Sequence, residues 1–218
     1  MKLMDLHNHT SFSYDGISGI NCVVENAINN DVSYLGITDH EFSIEKKLPE
    51  YVDALLVAKE KYKGKINLLA GIEIGTRPAP DDLCISLVNK LDYCLFESLD
   101  SDRAMNLYDF LEWRKKFRCK VGLAHTDIFA LGKRYNINML EVMKKEDIFW
   151  EINFSGNYNY YFDFISNQDK RDAVKKSGIS ISVGSDLHWI GDFDKTRLIQ
   201  TNELARSLGN PLAFGIRD

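Results

Sequence analysis

KVGLAHTD, residues 120–127, sets the pattern from which the fold of this chain is read. An apolar run, Val121 to Ala124, stops at a histidine, and a threonine and an aspartate follow. Short apolar runs bounded by polar residues suit strands buried on both faces, as in a parallel sheet. The form recurs as KLMDLH at 2–7, SYLGIT at 33–38, INLLAGIEI at 66–74, LDYCLF at 91–96, IFWEIN at 148–153 and ISISVG at 179–184. Between these runs helices are expected near 20–30, 44–63, 81–89, 103–117, 137–146, 166–177 and 202–208. NLYDFLEWRKKF, residues 106–117, shows the helical rhythm, with Leu107, Phe110, Leu111 and Phe117 on an apolar side. Gly178 follows DAVKKS where a glycine commonly ends a helix. Strand-then-helix alternation predicts parallel strands joined by crossover helices. Seven such units in one domain spanning 1–218 point to an α/β fold of the distorted TIM-like (β/α)7 barrel type, although periodicity alone does not exclude an open sheet.

Each run ends in a group able to bind metal or polar substrate. The runs close, in order, on His7 and His9, Asp39 and His40, Glu73, Glu97, His125, Glu151 and Asn153, and Asp186 and His188. Active sites of α/β barrels sit at the C-terminal ends of the strands, so these groups are predicted to meet at one mouth. All five histidines of the chain stand there. In DLHNHTSFSYDG, residues 5–16, His7 and His9 share a face if the segment is extended, and Asp15 follows. Together these groups make a candidate ligand set of mixed imidazole and carboxylate, which suits zinc, manganese or iron(II). A polar strand end, or Asp capping a turn, is the structural alternative. Glu73 lies in an apolar run, where an unpaired carboxylate costs several kcal/mol, so metal ligation accounts for it well. Asp39 and Asp127 flank histidines as orienting acceptors or as turn residues; Asp5 reads as structural or as a support behind a ligand.

Bulk properties set the context. With 218 residues, 44% of them hydrophobic, the chain can bury a large core. A net charge of −5 and a pI near 5.6 give no general attraction for nucleic acid or anionic membrane. Cys22, Cys84, Cys94 and Cys119 form neither CxxC pairs nor a disulfide framework, and no run reaches membrane-span length. A cytoplasmic setting is the expectation.

DLHNHTSFSYDG, GITDH, GIEIG, GLAHTD and GSDLH, in that order, resemble the motifs of the PHP family, named after polymerases and histidinol phosphatases. The resemblance spans residues 3 to 189. It implies a (β/α)7 barrel holding three divalent ions, usually in a phosphoesterase. By position, His7, His9, Glu73 and Asp186 would hold the first metal, and Glu73 would bridge to a second that His125 also binds. Asp15, His40 and His188 would hold the third. Three such ions would reverse the sign of a carboxylate-lined mouth and draw in phosphate despite the acidic chain. A hydroxide shared by the first two metals would attack phosphorus, with Glu73, Asp186 and His188 as the catalytic set and Asp186 as one proton source for the leaving group.

One ligand departs from the family pattern. Members usually carry a histidine just after the fourth strand, where this chain reads DYCLFESLDSD, residues 92–102. Glu97 is the first substitute and Asp100 the second, and either makes the second position richer in oxygen, favouring manganese or iron. Arg77, Arg103, Lys133, Arg134 and Asn153 are the candidate substrate contacts, each otherwise a solvated or packed residue. Trp189 is, with Asn153, a candidate leaving-group contact or else a packed residue, and the aromatic stretch NYNYYFDF, residues 157–164, is a rim or lid, an amphipathic helix face or an oligomer contact. The expected activity is hydrolysis of a small phosphorylated metabolite, histidinol phosphate among the candidates. A nucleotide phosphodiesterase or exonuclease, or a catalytically silent metal-binding domain with a regulatory role, are the alternatives; a long nucleic acid partner lacks a basic groove.

Overall fold

The computed structural model describes residues 1–77 and 83–216. Along the chain run β1 (Leu3–Asp5), α1 (Ile20–Asn29), β2 (Val32–Ile37), α2 (Glu41–Ile44), α3 (Leu48–Tyr62), β3 (Asn67–Ala70), β4 (Glu73–Ile74) and α4 (Ile85–Val88). Then come β5 (Tyr93–Glu97), α5 (Leu107–Arg114), β6 (Lys120–Ala124), α6 (Ile128–Tyr135), α7 (Met139–Lys145) and β7 (Ile148–Asn153). The chain continues through α8 (Asn159–Ser166), α9 (Gln168–Ser177), β8 (Ile181–Gly184) and α10 (Lys195–Ser207).

All strand pairs are parallel, β1-β2-β3 on one side and β4-β5-β6-β7-β8 on the other. The expected strand over 66–74 is thus two strands, broken at Gly71–Ile72. Across the break Gly71 N donates to Ile37 O and Glu73 N to Asp39 O, so β4 continues beside the extension of β2. Asp92 N on Ala70 O and Leu95 N on Ile72 O carry the sheet onward to β5. At the other seam Leu6 N donates to Val183 O and His9 N to Leu187 O, joining the end of β1 to β8. Seven strand positions therefore form one ring, with helices outside.

Glycines let its interior be filled. Tyr93 reaches across from β5 and donates its hydroxyl to Leu6 O at 2.6 Å. A Cβ at Gly36 would lie 1.8 Å from that hydroxyl oxygen, and one at Gly71 2.6 Å from the ring. β7 is buried along its whole length, as a strand covered on both faces must be.

The helices differ from expectation where caps, not periodicity, decide. The helix expected over 44–63 is split, and Pro49 occupies the first turn of α3. The one expected over 103–117 begins only at Leu107, because Asn106 caps it by accepting from Tyr108 N. Asp127 caps α6, an element with no expected counterpart, by accepting from Phe129 N and Ala130 N; that fixes its role as a turn residue. Residues 81–82 of the helix expected over 81–89 lie outside the described residues. The last helix starts at Lys195, seven residues before the expected start, with Asp194 accepting from Arg197 N. Gly178 ends α9 at φ 65°, as expected. Among the described residues no helix is long and apolar enough to cross a membrane.

Candidate metal centre

The strand ends deliver their polar side chains to one point. Four local groups each have ligand atoms within 4.8 Å of one another: His7, His9 and Asp186; Glu73, Glu97 and His125; His9, Asp15, His40 and His188; and His7, His125 and Glu151. All nine residues read from the sequence as ligands fall in these groups. Asp100, the second substitute, falls in none.

Glu73 stands at the middle. Its Oε1 lies 3.3 Å from the Nε2 atoms of both His7 and His125, and its Oε2 lies 3.4 Å from His9 Nε2 and 2.9 Å from His40 Nδ1. Asp186 Oδ1 lies 3.2 Å from His9 Nε2 and 3.5 Å from His7 Nε2. Asp15 Oδ2 sits 3.4 Å from His40 Nε2 and 3.3 Å from His188 Nε2. Asp186 and His125 take positive φ, 59° and 44°, a region non-glycine residues seldom occupy.

Several polar atoms at this centre are buried without a well-formed hydrogen bond, Glu73 meeting its imidazoles only at ion-pair distances: both carboxylate oxygens of Glu73, Asp15 Oδ1, His40 Nδ1 and His125 Nε2. Buried polar atoms are normally paired, and a carboxylate left so costs several kcal/mol. Orphaned oxygens and nitrogens converging on one space are the donor set of a cation cluster, so the residues fit divalent ions.

The surrounding groups hold the imidazoles. His7 Nδ1 meets Glu151 Oε1 at 2.6 Å, His188 Nδ1 meets Asp186 O at 2.8 Å, and His9 Nδ1 is 3.3 Å from Ser13 Oγ. Each contact ties one ring nitrogen and turns the other toward the centre. Asp39 organises the loop between them, accepting from Thr10 N, Thr10 Oγ1 and Ser13 N. Asp5 accepts from Ser185 N and Oγ and is structural, with burial raising its carboxyl to about 6.

Crowded carboxylates shift the titration of their neighbours. Burial pushes Glu73 and Asp186 upward, but His7 and His125 outweigh it and hold both well below the carboxylate range. His40 is raised to about 9, burial opposing and Glu73 prevailing. A raised imidazole contributes stability that is full below 6.5 and lost as pH climbs through 9. His7 shifts the same way, while Glu73 and Asp186, already ionised, are constant across this window. Chelator-treated protein is therefore expected to lose stability from pH 6.5 to 9 in urea unfolding. Equal or rising stability over that interval would contradict the charge arrangement described.

The candidate substrate contacts are less uniform. Asn153 is fully buried and spends its side chain on Glu151 Oε2 and Ser155 N. Arg134 is engaged with Ser101 O and Asp102 Oδ1, and Arg77 and Arg103 are exposed. Residues 157–164 divide their roles: Tyr160 and Phe164 pack inward, whereas Tyr158 stacks on His125 at 4.3 Å and donates to Asp186 Oδ2.

Sequence reasoning missed three residues at this mouth. Glu41, buried on α2, accepts from Gly75 N, and burial with the nearby Glu97 raises its carboxyl to about 7. Tyr158 carried no signal beyond its aromatic neighbourhood. Arg197 carried none, and it lines a cleft with Asp186 and His188.

Fold and site together define a metallohydrolase built on a parallel α/β barrel. The PHP domain family matches residues 5–208, so the chain belongs to the PHP family, and family and site make it a metal-dependent phosphoesterase. Histidinol phosphate phosphatase from Lactococcus lactis subsp. lactis, solved with zinc, L-histidinol and phosphate, has a similar structure, with a TM-score of 0.68 at 19% identity. The likeness covers 97% of this chain and 95% of that one. No curated protein matches.

Proposed function

We propose that this protein, acting as one domain, hydrolyses a small phosphomonoester at a three-ion centre, with histidinol phosphate the leading candidate substrate. The observation that carries this reading is the convergence of orphaned buried ligand atoms around Glu73. His7, His9, Glu73 and Asp186 would hold the first ion, Glu73, Glu97 and His125 the second, and Asp15, His40 and His188 the third. Divalent ions, when bound, supply Lewis acidity and a water acidic enough to ionise near neutral pH.

The chain's own part is positioning. Glu151 and the Asp186 carbonyl fix the ring orientations of His7 and His188. Tyr158 keeps its proton, because burial and Asp186 push its hydroxyl above the ordinary range, and it holds Asp186 through that proton. Asp186, which accepts from the Tyr158 hydroxyl, stands with Glu73 and His188 as the catalytic set and is one proton source for the leaving group.

Phosphate release from a panel of phosphomonoesters and dinucleotides, with manganese, iron or zinc added, tests the reading. Monoester turnover is the expected result. Dinucleotide cleavage would favour a phosphodiesterase, and metal binding without turnover would favour a silent domain.

A further inference from the structure

A cleft of about 320 Å³ opens between residues 154–157, after β7, and residues 185–197, after β8. Asp186 and His188 of the metal centre form part of its wall, so the cleft adjoins the cluster. Arg197, on the first turn of α10, is the one lysine or arginine among its lining residues.

Two features place this guanidinium. Asp194 accepts from Arg197 N at 2.9 Å and lies 3.6 Å from Arg197 Nε through its other oxygen, drawing the side chain along the cleft. Gly156, at φ 88°, leaves room opposite: a Cβ there would stand 2.9 Å from one terminal nitrogen. Asp194 engages Nε, and among the described residues neither terminal nitrogen has an acceptor. A guanidinium fork with both prongs available, on the wall that carries two cluster residues, suits two oxygens of one oxyanion. Arg134 differs, since Ser101 O and Asp102 already occupy it.

We propose that Arg197 binds the phosphoryl group of the substrate, and inorganic phosphate as product, from the wall of the cleft beside the metal centre. This rests on the phosphoesterase reading above and names the cation that reading lacks. The test is calorimetric binding of inorganic phosphate to the metal-loaded full chain, wild type against Arg197→Met and Arg197→Lys. Losing a charge-assisted fork is expected to weaken phosphate binding by about 10- to 100-fold in Arg197→Met, with Arg197→Lys between. KM for a monoester should rise by a similar factor while metal content and melting temperature stay at wild-type values. The side chain is half-exposed, so both variants are expected to fold. Phosphate affinity within twofold of wild type in Arg197→Met would overturn the proposal while leaving the phosphoesterase reading intact. Wild-type protein that takes up no metal would instead overturn that reading, and this inference with it, before any Arg197 variant is made.

Discussion

Glu73→Gln is expected to lose bound metal and to turn over phosphomonoester on the order of a thousandfold more slowly. One carboxylate lies within 3.4 Å of four of the five histidines, whereas Asp186 meets four only out to 3.8 Å. A carboxylate can bridge two cations with its two oxygens. The amide offers one oxygen and turns an NH2 donor toward the cluster, where it repels what the oxygen attracted. Metal polarisation of a phosphoryl group supplies several kcal/mol, and each ~1.4 kcal/mol is tenfold in rate, which gives the figure. Glutamine matches glutamate in shape, so circular dichroism should show an unchanged fold. The measurement is elemental analysis alongside turnover. Full metal content with activity within tenfold of wild type would show that Glu73 bridges nothing.

Glu97 carries the second large effect. Glu97→Ala is expected to retain two ions of the three and lose activity by about a hundredfold, whereas Asp100→Ala keeps its full content. The difference follows from placement: Glu97 shares a group with Glu73 and His125, and Asp100 shares none. Glu97→His restores the side chain usual in the family. It is expected to move metal preference toward zinc and away from manganese or iron, because an imidazole replaces a harder oxygen donor. Competition among the three metals, read by elemental analysis, decides the matter. Unchanged content in Glu97→Ala would remove Glu97 from the ligand set.

Much of this was legible without coordinates, for a simple reason. In a parallel barrel every strand is apolar until it leaves the core, so the first polar residue after each run marks the mouth. That logic reached His7, His9, His40, Glu73, Glu97, His125, Asp186 and His188, and the nearby DG turn supplied Asp15. It failed where position depends on packing between distant segments. The break between β3 and β4 arises because Glu73 follows the extension of β2 past Asp39, a register that the run INLLAGIEI does not contain. α6 and the early start of α10 depend on aspartate caps, which compete with hydrophobic periodicity and leave little trace in it.

By itself, then, the order of residues determined the alternation of strands and helices, the family motifs and the ligand types, since these reside in local chemistry and spacing. Tertiary structure alone decided that Glu151 holds His7, that Tyr158 leans on His125, that Glu41 lies near Glu97, and that Arg197 faces the same cleft as Asp186. The longest of these pairings links residues 144 positions apart, His7 and Glu151, and ring closure brings those two within reach. Side-chain proximity of that kind is a property of the closed barrel, and no stretch of the chain encodes it locally.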